Sequence, residues 1–417
     1  MTRSALWLSL IACAAAPALA ADPATIDWTK IPAASVMLFY PGQSSYEWLR
    51  SNDHGMGKGA KAAREGSACT KCHEGDERSM GASVVKSGAL EPTPVKGKNG
   101  SLELKVQSAY DDKNVYLRFQ WRTNADRAGT AYPSYRFDGK EWRVHGYPKL
   151  DKVVQEGKQP GIYEDRLSLM IDDGKVPNFA RQGCWVSCHN GLRDMPNEIS
   201  KADAQSAMKK DDVRKYLPAS RSNPEDPKSV KPAEEIAKIK AAGGFADLIQ
   251  WRAPRSNPAG AADDGYVLEY RNFDSGKNHF ASNLDNEKKV PKLMFAPGKK
   301  GEFLISGVNA VPFDPNAGWK EGDILPGRLV SRTDAKGSAA DNDAVYGTWK
   351  DRTYTLVWRR KLDTGNPADD KIMKVGGTYP VSFAVHDDNV TTRFHHVSFP
   401  LTLGIGVNAN IKAISLK

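Results

Sequence analysis

Four of the five cysteines in this 417-residue chain sit in two short motifs that each end in histidine. The first reads Cys69-Thr70-Lys71-Cys72-His73, and the second reads Cys184-Trp185-Val186-Ser187-Cys188-His189. A disulfide within either pair would close a loop too small to add much stability. A four-thiolate zinc site would use the sulfurs but makes no demand for a histidine after each second cysteine. Attachment of haem c demands both, because the thiols bond the porphyrin and the next residue presents its imidazole to the iron. The first motif has the two-residue spacer of that signature. The second has three residues and is read as a variant of it. On this reading the chain carries two covalently bound haem c groups. Cys69 and Cys72 tether one, Cys184 and Cys188 the other, with His73 and His189 as proximal ligands.

The N-terminus fits that chemistry. MTRSALWLSLIACAAAPALA has an early positive charge at Arg3, a short apolar run and an Ala18-Leu19-Ala20 cleavage pattern, which together describe a signal peptide over residues 1–20. The expected destination is the periplasm, with the mature chain starting near Ala21 and all its cysteine used by the two motifs. Leu10-Ile11-Ala12-Cys13 is the alternative, a lipoprotein site with an unusually short apolar core. No later segment is long and uncharged enough to span a bilayer. The formal charge of +9 becomes +8 once Arg3 is removed. The 59 Lys and Arg are dispersed among 50 Asp and Glu, so nucleic acid is a poor partner, and the mild basicity suits docking of an acidic redox protein or a merely solvated surface equally.

Two units are expected after the leader. Residues 21–95 form a small α-helical and loop cytochrome c module, with a helix start at Ser44-Ser45-Tyr46-Glu47 and a glycine-spaced loop before the first motif. The tract EPTPVKGKNG then marks a boundary. From residue 96 to 417 the pattern turns to period two. SLELKVQSAYDDKNVYLRFQW reads as a hairpin, as does YRFDGKEWRV. RLSLMID, EFLISGV, TYTLVWRRKL, TYPVSFAVHD and FHHVSFPLTLGI add further strands. The expected class is therefore mostly β, an antiparallel sandwich. Residues 199–242 interrupt it as a polar, partly helical insertion that helps to cover the second cofactor.

These pieces resemble a known family. The hairpin, DRLSLMIDDG, GCWVSCHNGLRDMP, DLIQWRAPRSNP, FAVHDDN and FHHVSFPLTLGI, spread over 101–417, look like the haem-binding domain of ethylbenzene dehydrogenase-related cytochromes. The same domain serves as the γ subunit of DMSO-reductase-type molybdenum enzymes. The leading PGQSSYEWL, DHG, CTKCHEGD and MGA resemble the cytochrome c segment that precedes this domain in some members. The resemblance implies a β-sandwich that holds haem and serves electron transfer. Its redox partners would include a molybdoenzyme or a quinol-oxidising membrane cytochrome. In the γ subunits the haem is b-type, with Met and Lys as ligands; here a cysteine-histidine tether stands instead.

The sixth ligands are left open by sequence. For the first haem, His54 is preferred over Met80, which follows His73 too closely to swing around a porphyrin. For the second, His395 or His396 comes first, because the family's Lys ligand lies near this terminal strand, and His386 follows. Adjacent strand residues point to opposite faces, so His395 and His396 cannot both serve. Met170 matches the approximate place of the family Met, and Met195, His145 and His279 complete the set. The expected role is electron transfer without catalysis. A dihaem peroxidase would need a five-coordinate haem and two helical haem domains; a gas sensor would need a ferrous iron open to CO.

Overall fold

The computed structural model describes residues 22–88, 90–91, 95–129, 132–148, 150–387 and 395–417. The expected export segment, with Cys13, lies outside them, as does part of the 387–389 turn. Among the described residues no helix is long and apolar enough to cross a membrane.

The chain is mostly β, as expected, and its main element is one sheet of thirteen strands. In chain order these are β1 (Ala33–Phe39), β2 (Ser101–Tyr110), β3 (Asn114–Arg122), β4 (Arg166–Ile171), β5 (Ala246–Arg252), β6 (Gly265–Val267) and β7 (Arg271–Phe273). There follow β8 (Asp343–Lys350), β9 (Thr353–Lys361), β10 (Thr378–His386), β11 (His395–Ser398), β12 (Leu401–Ile405) and β13 (Ile411–Ser415). The main path runs β7-β6-β5-β4-β10-β11-β1-β2-β3-β9-β8. Pairing along it is antiparallel, whereas β13 lies parallel to both β2 and β12.

Local chemistry explains the hairpin of β2 and β3. Leu104 and Val106 alternate inward opposite Trp121 and Phe119. Asp111 closes the turn, its Oδ1 accepting from the N–H groups of Lys113 and Asn114 at 2.8 and 2.7 Å. Two sequence expectations are corrected. EFLISGV keeps only Leu304–Ile305 as strand, in a separate three-stranded sheet. FHHVSFPLTLGI is broken between β11 and β12, where Pro400 has no N–H to offer a ladder.

The 21–95 segment is tied into this sheet. Its β1, seven residues of AASVMLF, pairs with β2 and β11 near the middle of the path. Val36 and Leu38 point into the main core, and Phe39 packs with a second apolar cluster on the opposite face. Between β1 and β2 come four short helices, α1 (Tyr46–Leu49), α2 (Lys58–Arg64), α3 (Thr70–His73) and α4 (Glu77–Lys86). The expected boundary near residue 95 is therefore crossed by strand pairing. The insertion contributes α5 (Lys201–Met208) and α6 (Ala233–Ala241).

The two ends of the sheet approach each other. Arg360 of β9 donates to Asp247 of β5 at 2.7 Å, and both side chains are buried. The N–H of Gly347 in β8 donates to Asn257, just beyond β5, at 2.6 Å. A common core of Trp121, Trp251, Tyr354, Trp358 and Phe383 with aliphatic neighbours lies between them.

Candidate cofactor sites

The first motif occupies one helical turn. Cys69 caps α3, and Cys72 and His73 lie three and four residues on, the spacing that puts side chains on one helix face. All three line a cavity of about 170 Å³. His54 lines it from the loop before α2, and Met80 lines it from α4. The rings of His54 and His73 have centroids 6.2 Å apart and planes within 18°. His54 is held by its own chain: Nδ1 lies 2.7 Å from the Leu49 carbonyl. A carbonyl only accepts, so Nδ1 is the donor and Nε2 is the nitrogen left to face elsewhere. Gly59 makes room for this ring, since a Cβ there would come within 2.9 Å of three of its atoms.

The second motif solves its extra residue by changing helix type. Gly183–Ser187 forms a 3₁₀ turn, and Cys188 follows in extended conformation with φ −103° and ψ 110°. The N–H of Cys188 still donates to Trp185 at 3.0 Å. The chain straightens after a tight turn, which returns Cys188 to the side of Cys184. Both line a second cavity of about 540 Å³, within the usual range for ligand sites.

His189 is fully buried, and its environment is specific. Nδ1 lies 2.6 Å from Oε1 of Glu47, whose Oε2 also accepts from the Asn190 N–H at 3.0 Å. Tyr216, from the insertion, stacks on the imidazole at 3.7 Å and 10°. Nε2 is buried and has no hydrogen-bond partner. Burial pushes His189 below its ordinary value, against the pull of Glu47. Burial acts to raise Glu47, but the hydrogen bond and charge of His189 hold it below the usual carboxylate range. The pair is thus a carboxylate with a neutral imidazole, its proton on Nδ1 and its free lone pair on Nε2. A buried Nε2 with nothing to bind, oriented by a carboxylate on the other nitrogen, is what a metal-ligating histidine requires.

The terminal histidines divide between faces. His386 of β10 and His395 of β11 are cross-strand partners with ring centroids 5.3 Å apart, and both line the second cavity. His396 is turned the other way. Its Nε2 donates to the Asn99 carbonyl at 2.9 Å and its ring meets the edge of Tyr40, so it is not brought to the cavity. Burial, with Arg166 and His395 nearby, holds His386 well below its ordinary value and keeps it neutral. Met170 and Met195 line the second cavity, whereas His145 and His279 line neither, and His189 lies behind the wall beside Cys188 rather than in the lining itself.

Sequence reading missed the cationic wall of the second cavity, which includes Arg166, Arg252, Arg255 and Arg271. Arg255 is bidentate to buried Glu164 at 2.7 and 2.6 Å, and Arg252 pairs with Asp263 at 2.9 Å. Arg271 is 7% exposed, and its two terminal nitrogens have no partner. Scattered arginines carry no spacing signal, so only the folded sheet collects them.

All four cysteines among the described residues are unpaired thiols. Burial pushes Cys69 and Cys188 up to about 11. The two cavities adjoin: Pro41 and Ser44 line both, and Cys69, Cys184, Trp185, Phe39 and Phe399 share one apolar cluster.

Against known proteins, a sequence model of the ethylbenzene dehydrogenase family matches residues 25–398. The chain belongs to the ethylbenzene dehydrogenase family. Cytochrome c-552 of Stutzerimonas stutzeri is 28% identical over 398 residues, covering 95% of this chain and 92% of that one. Cytochrome c-551 of Rhodocyclus tenuis is 27% identical over 176 residues, 42% of this chain and 60% of the relative. Family membership thus rests on nearly the whole described sheet, together with both motifs.

Proposed function

We propose that this family member is an exported dihaem c-type cytochrome that passes electrons between protein partners in the periplasm, with its sheet folded over as a sandwich. The observation that carries the reading is His189: a buried imidazole with an unpartnered Nε2, aligned by Glu47 and next in the chain to Cys188, which lines the second cavity together with Cys184. The names of the two relatives, both cytochromes c, support it.

Cys69 and Cys72 would tether the first haem, with His73 and His54 as ligands; the facing imidazoles favour His54 over Met80. Cys184 and Cys188 would tether the second, with His189 on one side. His395, stacked on His386 at the cavity wall, would supply the other ligand. Bound haem c supplies a one-electron iron couple whose potential follows its axial ligands and their burial. The protein's part is to hold those ligands, exclude water and set the distance between the two sites. Glu47 increases the basicity of His189, and Arg271 with its neighbours offers a cationic wall suited to porphyrin carboxylates. A molybdoenzyme or a quinol-oxidising membrane cytochrome is the partner class that the family resemblance implies.

The test is the intact mass of the protein produced with c-type haem maturation, read beside its reduced spectrum with and without CO. The mature polypeptide plus two haems, with no change on adding CO, is the expected result. One haem would remove the second motif as an attachment site. Two haems with a clear CO shift would favour a peroxidase or a gas sensor.

A further inference from the structure

Five aspartates converge where the two ends of the sheet meet. Asp247 lies on β5, Asp264 precedes β6 and Asp274 follows β7, while Asp369 and Asp370 come from the loop after β9. One oxygen each from Asp247, Asp264 and Asp370 lies within 4.8 Å of the others, and Asp274, Asp369 and Asp370 form a second such group. All five are buried, none more than 5% exposed.

Proximity alone would not make a site, but the hydrogen bonding points to a ligand. Asp274 and Asp370 are 4% and 2% exposed, yet neither oxygen of either accepts a hydrogen bond of ordinary geometry. The Thr364 hydroxyl lies beside Asp370 without completing one. Asp247 Oδ1 is likewise unpartnered, and so is Oδ1 of buried Asn342, whose amide donates to Asp264. A buried carboxylate with no partner is strongly unfavourable, and Arg360 and Arg271 offset the charge of five aspartates only in part. Arg360 donates to Asp247, whereas the Lys371 ammonium is committed to Asp172 and Asp173. Burial and mutual repulsion lift Asp274 to about 9 and Asp370 to about 7.

We propose that this cluster binds calcium, with Asp370 as the shared ligand and Asp247, Asp264, Asp274 and Asp369 around it. The donors are all hard oxygens, with neither the sulfur nor the imidazole that zinc prefers. Magnesium keeps several waters and takes one or two carboxylates, whereas calcium takes six to eight oxygens in flexible geometry. The ion clamps β5–β7 to the β8–β9 end of the sheet. Since Arg252 and Arg271 stand on β5 and β7, it also steadies the cationic wall of the second cavity. The proposal is independent of haem content.

The experiment uses the haem-loaded full chain, stripped with EGTA and titrated with calcium chloride, followed by calorimetry, elemental analysis and thermal unfolding. We expect one or two calcium ions per chain and a fall in Tm of roughly 5 °C or more on stripping, restored by calcium. Asp370→Asn should abolish the calcium-dependent rise while leaving the stripped protein as stable as the parent or more so, because a repelling charge is gone. A merely structural aspartate would not separate these two readouts. A stripped parent that unfolds at the same temperature with and without calcium would overturn the proposal. An equal response to magnesium would overturn the assignment to calcium.

Discussion

The Oε1 atom of Glu47 lies 2.6 Å from Nδ1 of His189, although 142 positions separate them in the chain. The contact joins the segment before the first motif to the histidine of the second. Nearby, the Tyr46 N–H donates to the Cys188 carbonyl. Glu47 stands in the first turn of α1, where an acid is usually a favourable neighbour of the helix N-terminus. Its carboxylate is instead directed to the imidazole and to the Asn190 N–H.

Glu47→Gln keeps an acceptor at that position and removes its charge. The less basic imidazole then stabilises the ferric state less. One of the two reduction potentials should rise, by about 59 mV for each tenfold change in that preference, with haem content unchanged. Spectroelectrochemical titration reads this directly; two unchanged potentials would separate Glu47 from the iron.

Gly59 and His54 give a second test. Alanine at 59 places a methyl within 2.9 Å of the His54 ring. Alanine is also the better helix former by about 1 kcal/mol, so lost ligation could not be blamed on a broken α2. Gly59→Ala should make part of one haem reactive to CO in the reduced state, and His54→Ala should make all of that haem reactive. Absence of CO binding in His54→Ala would point to Met80 in its place.

Replacing Cys184 and Cys188 together by serine removes the proposed tether but leaves His189 and Glu47. The intact mass should fall by one haem, and any haem retained at that site should be extractable into acidified organic solvent. A variant that keeps two covalent haems would contradict the second attachment site.

Glu164 supports the second cavity through Arg255 and Arg166. Burial would raise its pKa, but the two arginines hold it at about 2, against an ordinary value of 4.5. A depressed carboxyl contributes stability that is full above the unfolded value. That contribution is lost as pH falls from 4.5 towards 2. Glu164→Gln should therefore cost roughly 3–5 kcal/mol at pH 7, because it leaves buried guanidinium groups unpaired. The difference from the parent should shrink as pH approaches 3. Denaturant unfolding of both proteins at the two pH values checks it, and an equal difference at both would detach Glu164 from the acid response.

The sequence by itself determined the features that are local. The motifs at 69–73 and 184–189 are legible because each sets two cysteines and a histidine at short spacing along the chain. The β2–β3 hairpin is legible because one buried face imposes a period of two. The rule that neighbouring strand residues face opposite ways already separated His395 from His396. Pairing of β11 with β10 and β1 then put His395 at the cavity and His396 against Asn99. Tertiary structure alone decided what depends on distant partners. β1 carries no clear mark in the sequence because AASVMLF starts with small residues and then sends Val36 and Leu38 to one cluster and Phe39 to another, so it lacks a clean alternation. Glu47, the arginine wall and the five aspartates have no mutual spacing to read. They come together because the sheet brings its ends and the N-terminal segment around a common core, and charges buried there are arranged by contacts between strands.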